Sequence, residues 1–169
     1  MPIRDTYANI FTFAVTQSAA NTLTFAELQT NLGIQPVRGS IVAMIVDSIE
    51  YDLTNGFAEL AGDTDVVQAA LTISNQVTDL TDMTDRRILH LSSIKRVDAG
   101  TAASSTHYVG PTRFDFNPPM IHAEKSMYLA VDSTSLANPC TIRCRGYYRL
   151  VTLTDAELIE LTEVFRLVG

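Results

Sequence analysis

The 169 residues are 46% hydrophobic and 18% charged, with a formal net charge of -7. That length and mix fit one domain over residues 1–169 with a core of its own. The acidic balance argues against a protein that grips a phosphate backbone through bulk positive charge. The cations are nearly all arginine, Lys95 and Lys125 being the lysines, which favours planar, two-pronged pairing with specific carboxylates.

The N-terminal residues Met-Pro-Ile-Arg-Asp-Thr-Tyr carry no basic run ahead of an apolar block, so neither a signal nor a transit peptide is expected. Residues 10–16 alternate, with Phe11, Phe13 and Val15 against Thr12 and Ala14, and read as the first strand. Thr24-Phe25-Ala26-Glu27 has the form of a capping box, which predicts a short helix with Phe25, Leu28 and Leu32 on one side and Gly33 ending it. Pro36 and Gly39 mark a loop.

Residues 40–53 give the strongest strand signal. Ile41, Ala43, Ile45, Ile49, Tyr51 and Leu53 share one parity. On the other, Val42, Met44 and Val46 are apolar, while Ser48, Glu50 and Asp52 are polar, so one half of the strand is expected to meet a further element or subunit. Asn55-Gly56 predicts a hairpin turn returning the chain through residues 57–61. Gly62 to Asp65 reads as a loop, residues 67–74 as a strand, 75–85 as an acidic loop between sheets, and 87–97 as another strand.

Residues 99–106 form a small-residue loop, and 106–109 and 113–116 are short strands split by Gly110-Pro111. Asn117-Pro118-Pro119 reads as a firm break. Residues 126–132 form a strand, and 133–138 turn the chain into a long strand over 139–153. That strand puts Cys140, Ile142, Cys144, Tyr148 and Leu150 on one face and Thr141, Arg143, Arg145, Tyr147, Arg149 and Val151 on the other. A second capping box, Thr154 to Glu157, starts a terminal helix with Leu158, Leu161, Val164, Phe165 and Val168 on one stripe.

About eight strands, with a short helix after the first and an amphipathic helix at the C-terminus, make this an all-β protein, and the count predicts an antiparallel eight-stranded jelly-roll sandwich. No apolar run approaches the roughly 20 residues that cross a bilayer.

Chemistry-bearing motifs are sparse. There is no Gly-x-Ser-x-Gly, phosphate loop or His-Glu-x-x-His, so no enzyme is expected and no catalytic residue is assigned. His90, His107 and His122 lie on separate segments and read as surface or turn histidines, with no metal and no cofactor. Asp63 and Asp65, and Asp79, Asp82 and Asp85, read as solvated acidic loops. Cys140 and Cys144 point the same way about 13 Å apart on a strand, too far to bridge, and are expected to be buried thiols. The arginine stripe Arg143, Arg145 and Arg149, with Tyr147, has three readings: pairing with carboxylates across the sheet, pairing with a neighbouring subunit, or contact with nucleic acid, which the net charge disfavours.

Three stretches carry a resemblance: Ile-Val-Ala-Met-Ile-Val-Asp-Ser-Ile-Glu-Tyr-Asp-Leu at 41–53, Ser-Met-Tyr-Leu-Ala-Val-Asp at 126–132, and the closing strand at 139–153. In strand pattern and length the chain resembles, over nearly its whole extent, the small single jelly-roll coat proteins of icosahedral viruses. The resemblance implies a virion subunit, assembled in the host cytoplasm, without an active site. Its partners would be copies of itself and other virion proteins, and some such coats enclose an internal membrane. Many coat proteins of small RNA viruses carry a basic N-terminal arm, and its lack here disfavours direct genome binding. Interface candidates on this reading are Val42, Met44, Val46, Arg143, Arg145, Tyr147, Arg149, Leu158, Leu161 and Phe165. The alternative is a carbohydrate- or receptor-binding β-sandwich module of spike or lectin type, weakened by the absence of Trp; a cupin-type enzyme ranks third.

Overall fold

A computed structural model describes residues 9–30, 32, 40–62, 64–82, 84–96, 112–157 and 159–160. The strands are β1 (Asn9–Thr16), β2 (Thr24–Gln29), β3 (Ser40–Asp52), β4 (Val66–Thr72), β5 (Ile88–Lys95), β6 (Thr112–His122), β7 (Ser126–Thr134) and β8 (Thr141–Thr154), with a short helix, α1 (Thr54–Ala58), between β3 and β4 and helical residues at 155–157 and 159–160 after β8. They form two four-stranded sheets, β1-β8-β3-β6 and β2-β7-β4-β5. Every ladder is antiparallel, and the pairs nest: β1 with β8, β2 with β7, β3 with β6 and β4 with β5.

The main core draws on both sheets. Phe11, Val46, Ile49, Tyr51, Ile142 and Cys144 from the first meet Val67, Leu71, Met127, Leu129 and Val131 from the second in one buried cluster. A smaller cluster joins Ala70 and Ala130 of the second sheet to Val77 and Leu80, with Leu23, Phe25, Ile88 and Leu91 packed around it. Val77 and Leu80 come from the acidic loop, whose turns are shaped by carboxylates accepting from residues just ahead. Asp79 accepts from the Thr81 amide at 2.7 Å, and Asp82 from the Thr84 amide at 2.9 Å. The loop is thus a cover for one sheet as well as a connection. Among the described residues no such cluster forms on the outer face of the first sheet.

Four expectations need correction. The segment from Thr24 is a strand, not a helix. Ala26 and Leu28 pack on the main core while Phe25 packs on the smaller cluster, so both faces are apolar at period two. Pairing of Thr24 with Val131 through Gln29 with Ser126 overrides the local capping signal. Asn55-Gly56 lies in α1 rather than in a hairpin. A Cβ on Gly56 would sit 2.9 Å from Val67 Cγ1, so glycine is there for close approach, and Asn55 Oδ1 accepts the Thr141 amide at 2.6 Å.

The third correction concerns the two prolines. β6 runs through Pro118 and Pro119, where its register with β3 shifts between Met120 opposite Val46 and Asp115 opposite Ser48. β6 is an edge strand, and an irregular edge tolerates residues that cannot donate to the ladder. The peptide bond Asn117–Pro118 is cis.

The fourth concerns β3 itself. Val46 faces Tyr148 and Ser48 faces Tyr147, so Asp47 is an extra residue on β3. The bulge switches parity: Met44 and Val46 join the core before it, Ile49 and Tyr51 after it. Ile45 and Ile49 therefore lie on opposite faces, although their spacing predicts one face. The candidate strand at 106–109, the loops at 33–39 and 99–106, and most of the terminal helix lie outside the described residues.

Candidate interaction face of the first sheet

β8 keeps strict alternation because its neighbours hold it from both sides. Ile142 and Cys144 are buried in the core, with Tyr148 and Leu150 packed against it. Arg143, Arg145, Tyr147 and Arg149 therefore share the outer face. On that face Arg145 stands between Thr12 of β1 and Glu50 of β3, and Arg143 between Ala14 and Asp52.

The guanidinium groups find carboxylates within the chain. Arg149 and Asp47 form a two-pronged pair, Nε to Oδ2 at 2.9 Å and Nη2 to Oδ1 at 2.7 Å. Arg143 Nη1 is 3.5 Å from Asp52 Oδ2, and Arg145 Nη1 is 3.9 Å from Glu50 Oε2. Arg113 of β6 lies 4.0 Å from Glu50, bonds Asp115 at 2.9 Å and sits 5.2 Å over the Tyr147 ring. Hydrogen bonds from Thr54, with Arg143 nearby, hold Asp52 below the usual carboxylate range. Four arginines and four carboxylates leave this surface balanced, and exposed pairs of this kind each contribute about 0.2–1 kcal/mol.

A hollow of about 450 Å³ opens on the same face, lined by Thr12, Ala14, Glu50, Asp52, Arg143 and Arg145 together with Phe13 and Cys144. Beyond the bulge the outer face turns aliphatic. Ile41 pairs with Leu153 and Ile45 with Ile121, while Val151 lies opposite Ala43. Ile41, Ile45, Ile121, Val151 and Leu153 are half-buried.

The predicted residues divide accordingly. Met44 and Val46 are buried in the chain's own core and Val42 packs against it, so the apolar outer row is the one containing Ile41 and Ile45. Arg143, Arg145, Tyr147 and Arg149 come together on one surface. Leu158, Leu161 and Phe165 lie outside the described residues. The capping box that precedes them is formed: the Thr154 amide donates to Glu157 Oε2 at 2.7 Å and the Glu157 amide to Thr154 Oγ1 at 3.3 Å. Glu50, Asp52, Asp47 and Arg113 complete the face; the polar second half of β3 was its signal, but their partners follow only from the register.

Several other titratable groups lie within the fold. His122 is buried, not at the surface, because β6 continues past the prolines to pair it with Met44; burial lowers its pKa to about 4. His90 stacks on Tyr51 with centroids 5.6 Å apart and meets the Phe114 ring at 4.2 Å. His107 and Asp63 lie outside the described residues. Asp65 is buried rather than solvated and accepts the Gly62 and Ala61 amides at 2.7 and 2.6 Å. No group of three or more His, Cys, Asp or Glu side chains among the described residues is placed to hold a metal ion. Cys140 and Cys144 are free, buried thiols.

These features define an all-β protein of two four-stranded antiparallel sheets with a charge-balanced and partly aliphatic outer face on one of them. Compared with models of known protein families the chain matches none, and comparison with curated protein sequences gives no match.

Proposed function

We propose that this chain is a virion subunit of jelly-roll type that builds a shell from copies of itself. The nested pairing of β1 with β8, β2 with β7, β3 with β6 and β4 with β5, divided between two sheets, supports the jelly-roll sandwich. The observation that carries the subunit role is the difference between the two outer faces. The second sheet is covered by Val77 and Leu80 from its own chain. The first presents Ile41, Ile45, Ile121, Val151 and Leu153 away from the core, beside a balanced row of ion pairs. That aliphatic patch gains from burial against a second copy, and the Arg149–Asp47 pair beside it sets register.

The test is sedimentation and electron microscopy of purified protein. Shells or large oligomers are expected, and Ile45→Asp with Val151→Asp disperses them into subunits whose β-sheet circular dichroism is unchanged. A monomer at every concentration and salt level overturns the proposal.

A further inference from the structure

We infer that the hollow beside β1 is a binding site for a neutral, polyhydroxylated ligand, a saccharide, held by the Arg143, Arg145, Asp52 and Glu50 side chains that line it. The inference goes beyond shell building and does not depend on it.

Its size, about 450 Å³, is that of a small-ligand site. The sequence makes the space: Thr12 and Ala14 are short and exposed on an edge strand, so one side of the arginine row is left open. The chemistry follows from the distances. Farther along the same strands Arg149 and Asp47 meet at 2.7 and 2.9 Å and use their donors and acceptors on each other. At the hollow the equivalent pairs stand at 3.5 and 3.9 Å, beyond the roughly 2.7–2.9 Å of a charge-assisted hydrogen bond. Donors on Arg143 and Arg145 and acceptors on Asp52 and Glu50 thus keep capacity for a ligand.

The charge balance selects which ligand. An anion drawn to the arginines meets two carboxylates, and a cation drawn to the carboxylates meets two guanidinium groups. A hydroxyl group donates and accepts at once, and neighbouring hydroxyls on a sugar ring can bridge from a guanidinium group to a carboxylate. The Thr12 position adds a further hydroxyl at the rim.

The experiment applies purified protein to an array of neutral and acidic oligosaccharides, then titrates the best neutral binder by NMR, with inorganic phosphate as the anion probe. Neutral oligosaccharides are expected to bind and phosphate not to compete. Glu50→Gln or Arg145→Gln weakens binding by about tenfold or more, the effect of losing a hydrogen bond to a charged group. Ala14→Trp fills the hollow and keeps every charged group, its ring lying beside Arg143; it abolishes binding while the melting temperature stays that of the wild type. Absence of any neutral binder, preference for acidic sugars or phosphate, or undiminished binding in a folded Ala14→Trp variant overturns the inference. Assembly is read separately by sedimentation, so failure here leaves the shell proposal standing.

Discussion

The Phe11 ring fills the space that a side chain on Gly146 would occupy. A Cβ there would fall 2.0 Å from Phe11 Cζ and 2.4 Å from Cε1, while Phe11 and Gly146 sit directly opposite each other on β1 and β8. Gly146 is therefore a packing position in the middle of the closing strand, where a glycine would otherwise weaken the sheet. Gly146→Ala is expected to destabilise the protein by about 3 kcal/mol, the upper end of ordinary overpacking. Phe11→Leu in the same chain relieves part of that loss, so the double variant is more stable than the two single losses added together. Urea unfolding of the four proteins measures the coupling, and simple additivity would show that the ring is not what excludes the methyl group.

The ion pairs of the first sheet rank by geometry. Arg149 engages Asp47 through two short bonds, whereas Arg143 and Arg145 stand 3.5 and 3.9 Å from their nearest carboxylate oxygens. Arg149→Ala should lower stability by up to about 1 kcal/mol, and Arg145→Ala by less than about half of that. Because all three guanidinium groups are partly or largely exposed, the differences shrink at about 1 M salt. Denaturant midpoints at low and high salt check the order; a larger effect at Arg145 than at Arg149 contradicts it.

That order also marks where sequence reading stops. The alternation of β8 was legible from Cys140 to Val151 because the extra residue in its ladder with β3 lies on β3, which leaves β8 itself unbroken. On β3 the same rule fails at Asp47, since one inserted residue exchanges the faces of everything before and after it and leaves no compositional trace. Thr24 to Glu27 satisfies a helix-start pattern and a strand pattern equally, and the choice is made by β7, more than a hundred residues away in the chain. Asn55-Gly56 looks like a turn because glycine serves both turns and close contacts, and only the approach of Val67 distinguishes them. The acidic run at 75–85 reads as solvent-facing from its aspartates, while its function in the fold rests on Val77 and Leu80 between them. At the charged face the arginines were visible as a stripe; their pairing with Glu50 and Asp52 required the register of β3 against β8.

The two cysteines give a chemical readout of how well that strand is buried. Burial pushes the Cys140 thiol up to about 11 and the Cys144 thiol up to about 12, and the thiolate is the reactive form. Native protein at neutral pH should therefore label slowly with a thiol-specific reagent, with both sites reacting at once in denaturant. The same shift makes the folded state hold its thiol protons more tightly than the unfolded one. The contribution is complete below the ordinary thiol pKa and is lost as pH rises towards 11 and 12. Fast labelling of Cys144 in folded protein would be inconsistent with its place in the core.

Acid acts on the opposite side of the neutral range. His122 is 2% exposed, and burial lowers its pKa from 6.5 to about 4; burial lowers that of His90 as well. Burial disfavours the charged form of both rings in the folded state, so the unfolded chain binds more protons as the pH drops below the ordinary histidine range. Stability is full above about pH 6.5 and declines as the pH falls towards 4. For His122 alone the loss at about pH 5 is roughly 2 kcal/mol. The lowered carboxylates follow at still lower pH: Asp52, Asp65, Asp79 and Asp85 against an ordinary 3.8, and Glu157 against 4.5. Urea midpoints at about pH 7.5 and pH 5 should thus differ for the wild type, and His122→Leu should remove most of that difference while changing the later, carboxylate-driven fall little. An unchanged difference in the His122→Leu protein would assign the acid sensitivity to His90 or to residues elsewhere in the chain.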